Sequence, residues 1–563
     1  MAERATPVLD RPWRHQRGGF GYALARVRDI LHPPVTIVAP SPDLHVRHHV
    51  PIPLRDGTVL RASLYTRGSD AAPVIVSAQP YGTGRPRPRR RGGWRPDVQY
   101  RLMRQPAPIT LSSETGWEAP DPDWWTGQGY AVLNVDLRGS GSSGGRADLM
   151  SAQEGRDLYD VIEWAAAQDW STGRVGMLGV SYLAMSQYRA AETRPPSLAA
   201  IVPWEGLSDL YRDLMRRGGV SERGFSVVWA RGVRRTAPTS DDLLAGRRRH
   251  PLHDAWWDAR VPDLSAIRVP MLVCASFSDA HLHSRGSFRA LERAGAAERS
   301  AYTHRGGKWA TFYSEPARAA QRGFLDRHLK GADLPAPPPV RLEVRESGAV
   351  VHAVRDEAAW PPPSVRWTRL HLGPGGRLVD APALEDGGVA FPTRRRAARF
   401  DHVFAEDTEV AGPMALDLWA SSPDLDDLCL FAGVEKWHRG RFVGFEGSYG
   451  YGRDRVATGW QRASLRELDE SESRPESPVP TFLRPQPLRA GEVVLVRIAL
   501  SPSATFFRAG DTLRLVVSGR ALSPRGPLTG HALAWYEWSR RGTAALHWGA
   551  QRAASLLVPV IPC

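Results

Sequence analysis

The chain has 563 residues and a mass of 62.1 kDa, too long for one ordinary domain and long enough for at least two hydrophobic cores. With 42% hydrophobic, 24% charged and 9% aromatic residues it has the composition of a folded globular protein and not of a disordered chain. The net charge of +14 would suit nucleic acid, but among 74 basic residues only Lys308, Lys330 and Lys436 are lysine, and most arginines are scattered singly among acidic residues. The dense runs Arg85–Arg95, Arg247–Arg249 and Arg394–Arg396 lie on no amphipathic helix or aromatic-studded strand repeat, so they are expected to be solvated loops, with no nucleic-acid partner.

No stretch reaches the roughly 18 to 20 consecutive apolar residues that span a bilayer, and the first residues lack a secretory apolar region, so no membrane partner and a cytoplasmic location are expected. Cys274, Cys429 and Cys563 are odd in number and widely separated, which excludes a disulfide scaffold or a zinc ribbon.

In chain order, residues 1–44 form an Arg- and Pro-rich N-terminal arm with one helical pattern over 22–31. From His45 the residues alternate apolar and polar around Asp56-Gly57, which predicts a β-hairpin. Short apolar runs at 72–80, 130–136, 174–179, 198–204 and 269–279 read as buried strands, with amphipathic helices over 152–167 and through Ala191 between them. Strand and helix alternating at these spacings imply βαβ units and a parallel sheet. Residues 205–262 interrupt that pattern with helical fragments and no buried strand, a helical cap inserted into the sheet domain, and the helix over 317–330 closes the core before a proline-rich exit near residue 335. Residues 336–563 carry short alternating segments such as 414–421, 493–500, 512–519 and 555–561, the texture of an all-β jelly-roll sandwich. The predicted units are therefore 1–44, a core over 45–204 and 263–335 split by the cap 205–262, and the sandwich 336–563.

Four constellations compete for the chemistry. Gly139 to Gly144 spell GxGxxG after a strand, but the next helix starts too late for a dinucleotide fingerprint, and a turn at the sheet edge is expected. The pairs His48-His49, His250-x-x-His253 and His281-x-His283 lack the barrel architecture of metal-dependent hydrolases; His281 and His283 are read as a loop pair, with no metal and no cofactor required. Gly179-Val180-Ser181-Tyr182-Leu183-Ala184 sits between a strand and a helix, where a serine is exposed on a sharp turn, although Leu183 stands where G-x-S-x-G has its second glycine. Downstream, Asp279 ends an apolar run and His304 follows, in the order serine, acid, histidine.

With those residues in place the chain resembles the cocaine esterase-like and X-prolyl dipeptidyl peptidase-like serine hydrolases, a group that includes glutaryl acylases and α-amino acid ester hydrolases. The resemblance runs over residues 45–563 through DGTVLRASLY (56–65), Pro80-Tyr81, DLRGSGSSGG (136–145), GVSYLA (179–184), SFSDAHLHSRG (276–286), FLDRHLKG (324–331) and the closing 556–562. It implies an α/β-hydrolase core with a helical cap and a C-terminal jelly roll. By motif position it also implies Ser181 as nucleophile, Asp279 as triad acid and His304 as base, with the Tyr81 hydroxyl and the Tyr182 amide as oxyanion hole. Two departures stand out: Ala184 replaces a glycine, and the Gly-Pro-Trp context that precedes the family histidine is absent before His304. His281 and His283 are rivals for the base but stand close to Asp279 in sequence, before the helix over 288–294.

The expected reaction is hydrolysis of an ester or amide through an acyl-enzyme on Ser181, without cofactor. Trp204 and Trp229 are expected to line the substrate pocket, and Glu205, with Asp209, to meet a substrate amino group if the enzyme is an X-prolyl dipeptidyl peptidase, the alternative reading. A non-catalytic carbohydrate- or partner-binding role of the jelly roll is a second alternative, and assembly as a homodimer is left open.

Overall fold

The structure is a computed structural model that describes residues 8–9, 20–82, 85, 87–88, 92–526, 528 and 530–562. Residues 1–7 and 10–19 of the expected N-terminal arm, part of the Arg85–Arg95 run and Cys563 lie outside the described residues, and the helical pattern expected over 22–31 forms as a helix over Phe20–Leu31.

The sheet of the first unit consists of β1 (Leu44–Pro53), β2 (Val59–Arg67), β3 (Ala72–Gln79), β4 (Ala131–Asp136), β5 (Ser171–Val180), β6 (Leu198–Trp204), β7 (Met271–Ser276), β8 (Arg299–His304) and β9 (Val340–Arg345). Their spatial order is β1-β2-β4-β3-β5-β6-β7-β8-β9; β1, β2 and β4 pair antiparallel and every later neighbour pairs parallel. The first pair is the predicted hairpin, turned at Gly57, whose φ of 83° a side chain rarely adopts. β3, β4 and β7 are buried along nearly their whole length, as strands covered on both faces by helices must be.

The helices α1 (Ala152–Ala166), capped by Ser151 on the Glu154 N–H, and α2 (Tyr182–Glu192) follow β4 and β5. Between β6 and β7 the chain forms α3 (Phe225–Thr236), α4 (Leu243–Arg249) and α5 (Ala255–Asp258) with no strand among the described residues. Beyond β7 come α6 (Ser284–Arg293), then after β8 α7 (Lys308–Phe312) and α8 (Glu315–Leu329). Among the described residues no helix is long and apolar enough to cross a membrane.

The sheet reverses its strand order between β4 and β3, and the loops after β3, β5, β6, β7 and β8 open along the same carboxyl edge, where open α/β sheets place their ligand sites. The GxGxxG segment is a turn at this edge, closed by the Gly139 N–H on the Gly144 carbonyl at 2.8 Å. A Cβ on Gly141 would strike the Asp136 carboxylate, so a glycine there permits close packing.

The C-terminal unit is an antiparallel sandwich. One sheet includes β10 (Ala415–Ser421) paired with β14 (Val494–Ala499), β16 (Thr543–Trp548) and β17 (Ser555–Pro562). The other includes β11 (Cys429–His438) paired with β13 (Ala457–Arg462) and β15 (Thr512–Ser518), and the short β12 (Tyr451–Asp454) precedes β13. Leu416, Leu418, Leu430, Val434, Val496 and Leu515 from both sheets form a core separate from that of the first unit. Cys274 and Cys429 are buried free thiols in different units.

Candidate active site

The elbow after β5 forms without the second glycine of its motif. Ser181 has φ 60° and ψ −114°, a strained conformation for a non-glycine residue, and opens α2 without capping it. Leu183, in place of the missing glycine, packs back over Gly179, where an added Cβ would come within 2.5 Å of the Leu183 Cβ. The glycine needed for the tight turn is thus Gly179. The methyl of Ala184 is accommodated by Gly206, whose own Cβ would lie 2.7 Å from it. Glu118 and Glu205 also have positive φ, 65° and 49°, and both line the same pocket as Ser181. Tyr449, with φ 58°, lines it too, and strain in four non-glycine residues around one pocket is the usual mark of a functional site.

The Ser181 Oγ lies 3.1 Å from Nε2 of His283, and Nδ1 of His283 lies 2.5 Å from Oδ2 of Asp279. β7 ends at Ser276, and the chain then turns so that the N–H groups of Leu282, His283 and Ser284 all reach the Asp279 carbonyl. That turn folds His283 over the carboxylate four residues before it.

The expectation that His304 serves Ser181 is corrected by this geometry. His304 is the last residue of β8, in register with Ser276, and its Nε2 is 3.0 Å from Oε1 of Glu205. Its ring stacks near that of Trp204, 6.3 Å between centroids. It is held by the strand and not by a loop, and its Nε2 is engaged by Glu205, while the imidazole bonded to Ser181 is that of His283. Trp204 is corrected as well: fully buried, it packs on Tyr302 and Phe312 beneath His304 and does not line the pocket. Glu205 does line it, but its carboxylate is committed to His304 and Lys308, and Asp209 pairs with Arg212, so neither is free for a substrate amine.

Lys308, the first residue of α7, was not foreseen. Its Nζ is 2.5 Å from Asp279 Oδ2, 2.9 Å from His283 Nδ1 and 3.4 Å from Glu205 Oε2. Asp279 can only accept, so the proton between it and His283 sits on Nδ1, and Lys308 acts on the imidazole by charge while its hydrogens go to the carboxylates. Burial alone would raise both carboxyls; Lys308 and His283 hold Asp279 well below its usual range, and Lys308 and His304 hold Glu205 below it. Burial would lower Lys308, but Asp279 and Glu205 raise it. For His283, burial and Lys308 together lower the pKa against the opposing pull of Asp279. The neutral tautomer that results has Nδ1 protonated and a lone pair on Nε2 toward Ser181.

Tyr81, just past β3, accepts a hydrogen bond from Nε1 of the half-buried Trp229 on α3 at 3.2 Å, which leaves its own proton to donate. The hydroxyl of Tyr182 is bound to Glu154 at 2.7 Å, so only its main-chain N–H is directed to the site. Between these donors stands a second unforeseen residue. The buried carboxyl of Glu118 faces the Tyr81 hydroxyl, the Tyr182 N–H and the Ser181 hydroxyl, and its main-chain carbonyl accepts from Val180 N–H at 3.0 Å. Burial raises it to about 7 against the pull of Lys308 and those three donors. The C-terminal unit closes the pocket with Glu446, Ser448 and Tyr449, the last stacked on Phe225 of α3 at 5.1 Å.

Two family profiles cover most of the chain: X-Pro dipeptidyl-peptidase (S15 family) over residues 56–307, and the X-Pro dipeptidyl-peptidase C-terminal non-catalytic domain over residues 333–556. A CocE/NonD family hydrolase from Staphylococcus aureus is 34% identical, superposes with a TM-score of 0.87, and is matched over 92% of this chain and 94% of its own. The cocaine esterase of Rhodococcus sp. (strain MB1 Bresler) is 24% identical over 92% of this chain and 98% of its own length. An α-amino acid ester hydrolase shares the fold, with a TM-score of 0.67 at 17% identity over 92% of this chain and 97% of its own.

Proposed function

The chain belongs to the CocE/NonD family of hydrolases, and we propose that it hydrolyses ester or amide bonds of small acyl substrates with Ser181 as nucleophile, His283 as general base and Asp279 as the carboxylate that orients it. The observation that carries this is the unbroken line from Ser181 Oγ through both nitrogens of one imidazole to Asp279. His283 Nε2 takes the serine proton as Oγ attacks the acyl carbon, and the same nitrogen returns it to the leaving group. Asp279 holds the tautomer and balances the imidazolium, with Lys308 fixing the carboxylate's position.

The developing oxyanion is received by the Tyr81 hydroxyl and the Tyr182 N–H. An ionised carboxylate among these donors would repel it, so the competent form has Glu118 protonated, the neutral acid adding a third donor. The groups that face Glu118 are Lys308, Tyr81, Ser181 and the Tyr182 amide, with Tyr100 and Tyr313 behind it.

Small acyl esters or amides are favoured over X-prolyl peptides because the carboxylates expected to hold a substrate amine, Glu205 and Asp209, already have partners. The test is turnover of p-nitrophenyl acyl esters beside Gly-Pro-anilide, with fluorophosphonate labelling of wild type and Ser181→Ala. Labelling confined to wild type and faster ester turnover support the reading. A folded wild type that neither labels nor turns over would instead leave the C-terminal sandwich as the working part.

A further inference from the structure

The two histidines of His281-Leu282-His283 point into different sites. His283 meets Ser181, whereas His281 enters the junction with the C-terminal unit, where its main-chain N–H donates to Ser448 Oγ at 2.9 Å and its Nδ1 lies 2.8 Å from the Tyr536 hydroxyl. The other ring nitrogen is turned toward Asp454, at the end of β12, and toward His531. His281 Nε2 is 3.9 Å and His531 Nε2 is 3.7 Å from the same oxygen, Asp454 Oδ2. One donor atom from each of the three residues lies within 4.8 Å of the other two.

These separations are too long for direct hydrogen bonds. Neither Nε2 finds a hydrogen-bond partner among the described residues, nor does Nδ1 of His531. All three residues are more than nine-tenths buried, at 7%, 2% and 1% exposure for His281, Asp454 and His531. Buried ring nitrogens left without a hydrogen-bond partner are costly as they stand. The edge of a tetrahedron with ligands at about 2.0 to 2.1 Å is about 3.4 Å, so the observed spacing needs only a small contraction to hold one ion. The Tyr536 contact at Nδ1 is the kind of outer interaction that fixes a ligating imidazole. Arg217 and Arg305 are nearby, but their N–H groups go to the carbonyls of Thr458 and Val456 at 3.3 and 3.0 Å, which leaves Asp454 Oδ2 to the imidazoles. The other two buried trios with ligating atoms, Glu205-Asp279-His283 and Glu205-Cys274-His304, are already held by Lys308 and by internal hydrogen bonds.

We propose that His281, Asp454 and His531 form a binding site for a divalent transition metal, zinc by its two imidazoles and one carboxylate, which fastens the loop bearing Asp279 and His283 to the C-terminal unit. Such an ion would be a structural staple, held by none of Ser181, Asp279 and His283.

The test uses the full-length protein without a polyhistidine tag. Elemental analysis after gel filtration, and zinc titration of chelator-treated protein followed by calorimetry, should give about one zinc per chain for wild type. His531→Ala and Asp454→Asn should lose it. The melting temperature should fall on treatment with chelator and recover with added zinc, a readout that stands on wild type alone should a variant fail to fold. Protein that is free of metal, takes up no zinc and melts unchanged with chelator or zinc would overturn the proposal, as would equal zinc uptake by wild type and a folded His531→Ala.

Discussion

If Glu118 must be neutral for an oxyanion to form beside it, the reaction should slow as pH rises through the ionisation of that carboxyl, which burial raises to about 7. The sign follows from the charge: below that pH the group is a neutral donor, above it an anion facing the Tyr81 hydroxyl and the Tyr182 N–H. A full charge about 4 Å from the developing oxyanion, at an effective dielectric near 20, costs about 4 kcal/mol, close to a thousandfold in rate. The ionised form is then almost inactive, and kcat/KM should follow the neutral fraction, down about tenfold per pH unit and about a hundredfold near pH 9. Glu118→Gln keeps the shape and an N–H donor without the charge. The assay is kcat/KM for a p-nitrophenyl ester from pH 6 to pH 10, corrected for spontaneous hydrolysis. Wild type should show the alkaline limb, and the glutamine variant should be level between pH 7 and 9 and overtake wild type there. A wild-type profile flat across that range, or the same limb in the variant, would refute the reasoning.

Two further substitutions separate the parts of the site. Tyr81→Phe removes one oxyanion donor and should lower kcat by about 10² to 10³ with little change in KM, read by steady-state kinetics. Lys308→Met leaves the buried carboxylates of Asp279 and Glu205 without their shared cation; breaking a buried pair in this way costs about 3 to 5 kcal/mol, and urea denaturation should register a loss of that order.

Much of the fold could be read from residues alone because the periodicities are strong there. The Asp56-Gly57 hairpin, the buried strand ending at Asp136 and the alternating segments of the C-terminal sandwich each follow one local rule. The serine elbow was legible despite its broken motif, since Gly179 supplies the space that Leu183 requires. The imidazole that meets Ser181 was not, because proximity in sequence to Asp279 counted against His283. A turn of four residues closes that distance, and the signal lay in the Asp-x-x-x-His spacing itself. His304 matched a family order in sequence, but a strand-terminal residue keeps the direction its register dictates, and that direction leads to Glu205. Glu118 and Lys308 carry no motif of their own. Their importance arises only when loops after different strands meet at one sheet edge.

The central claim is that His283, and not His304, takes the proton from Ser181. The most direct measurement compares the rate of Ser181 acylation in His283→Ala and His304→Ala by single-turnover release of p-nitrophenol, with folding of both checked by circular dichroism. Loss of the triad base should slow acylation by at least about 10⁴-fold in the first variant, while the folded second variant should retain acylation within about tenfold of wild type, the rest of its defect appearing as lowered stability. Acylation abolished by His304→Ala and preserved in His283→Ala would contradict the account.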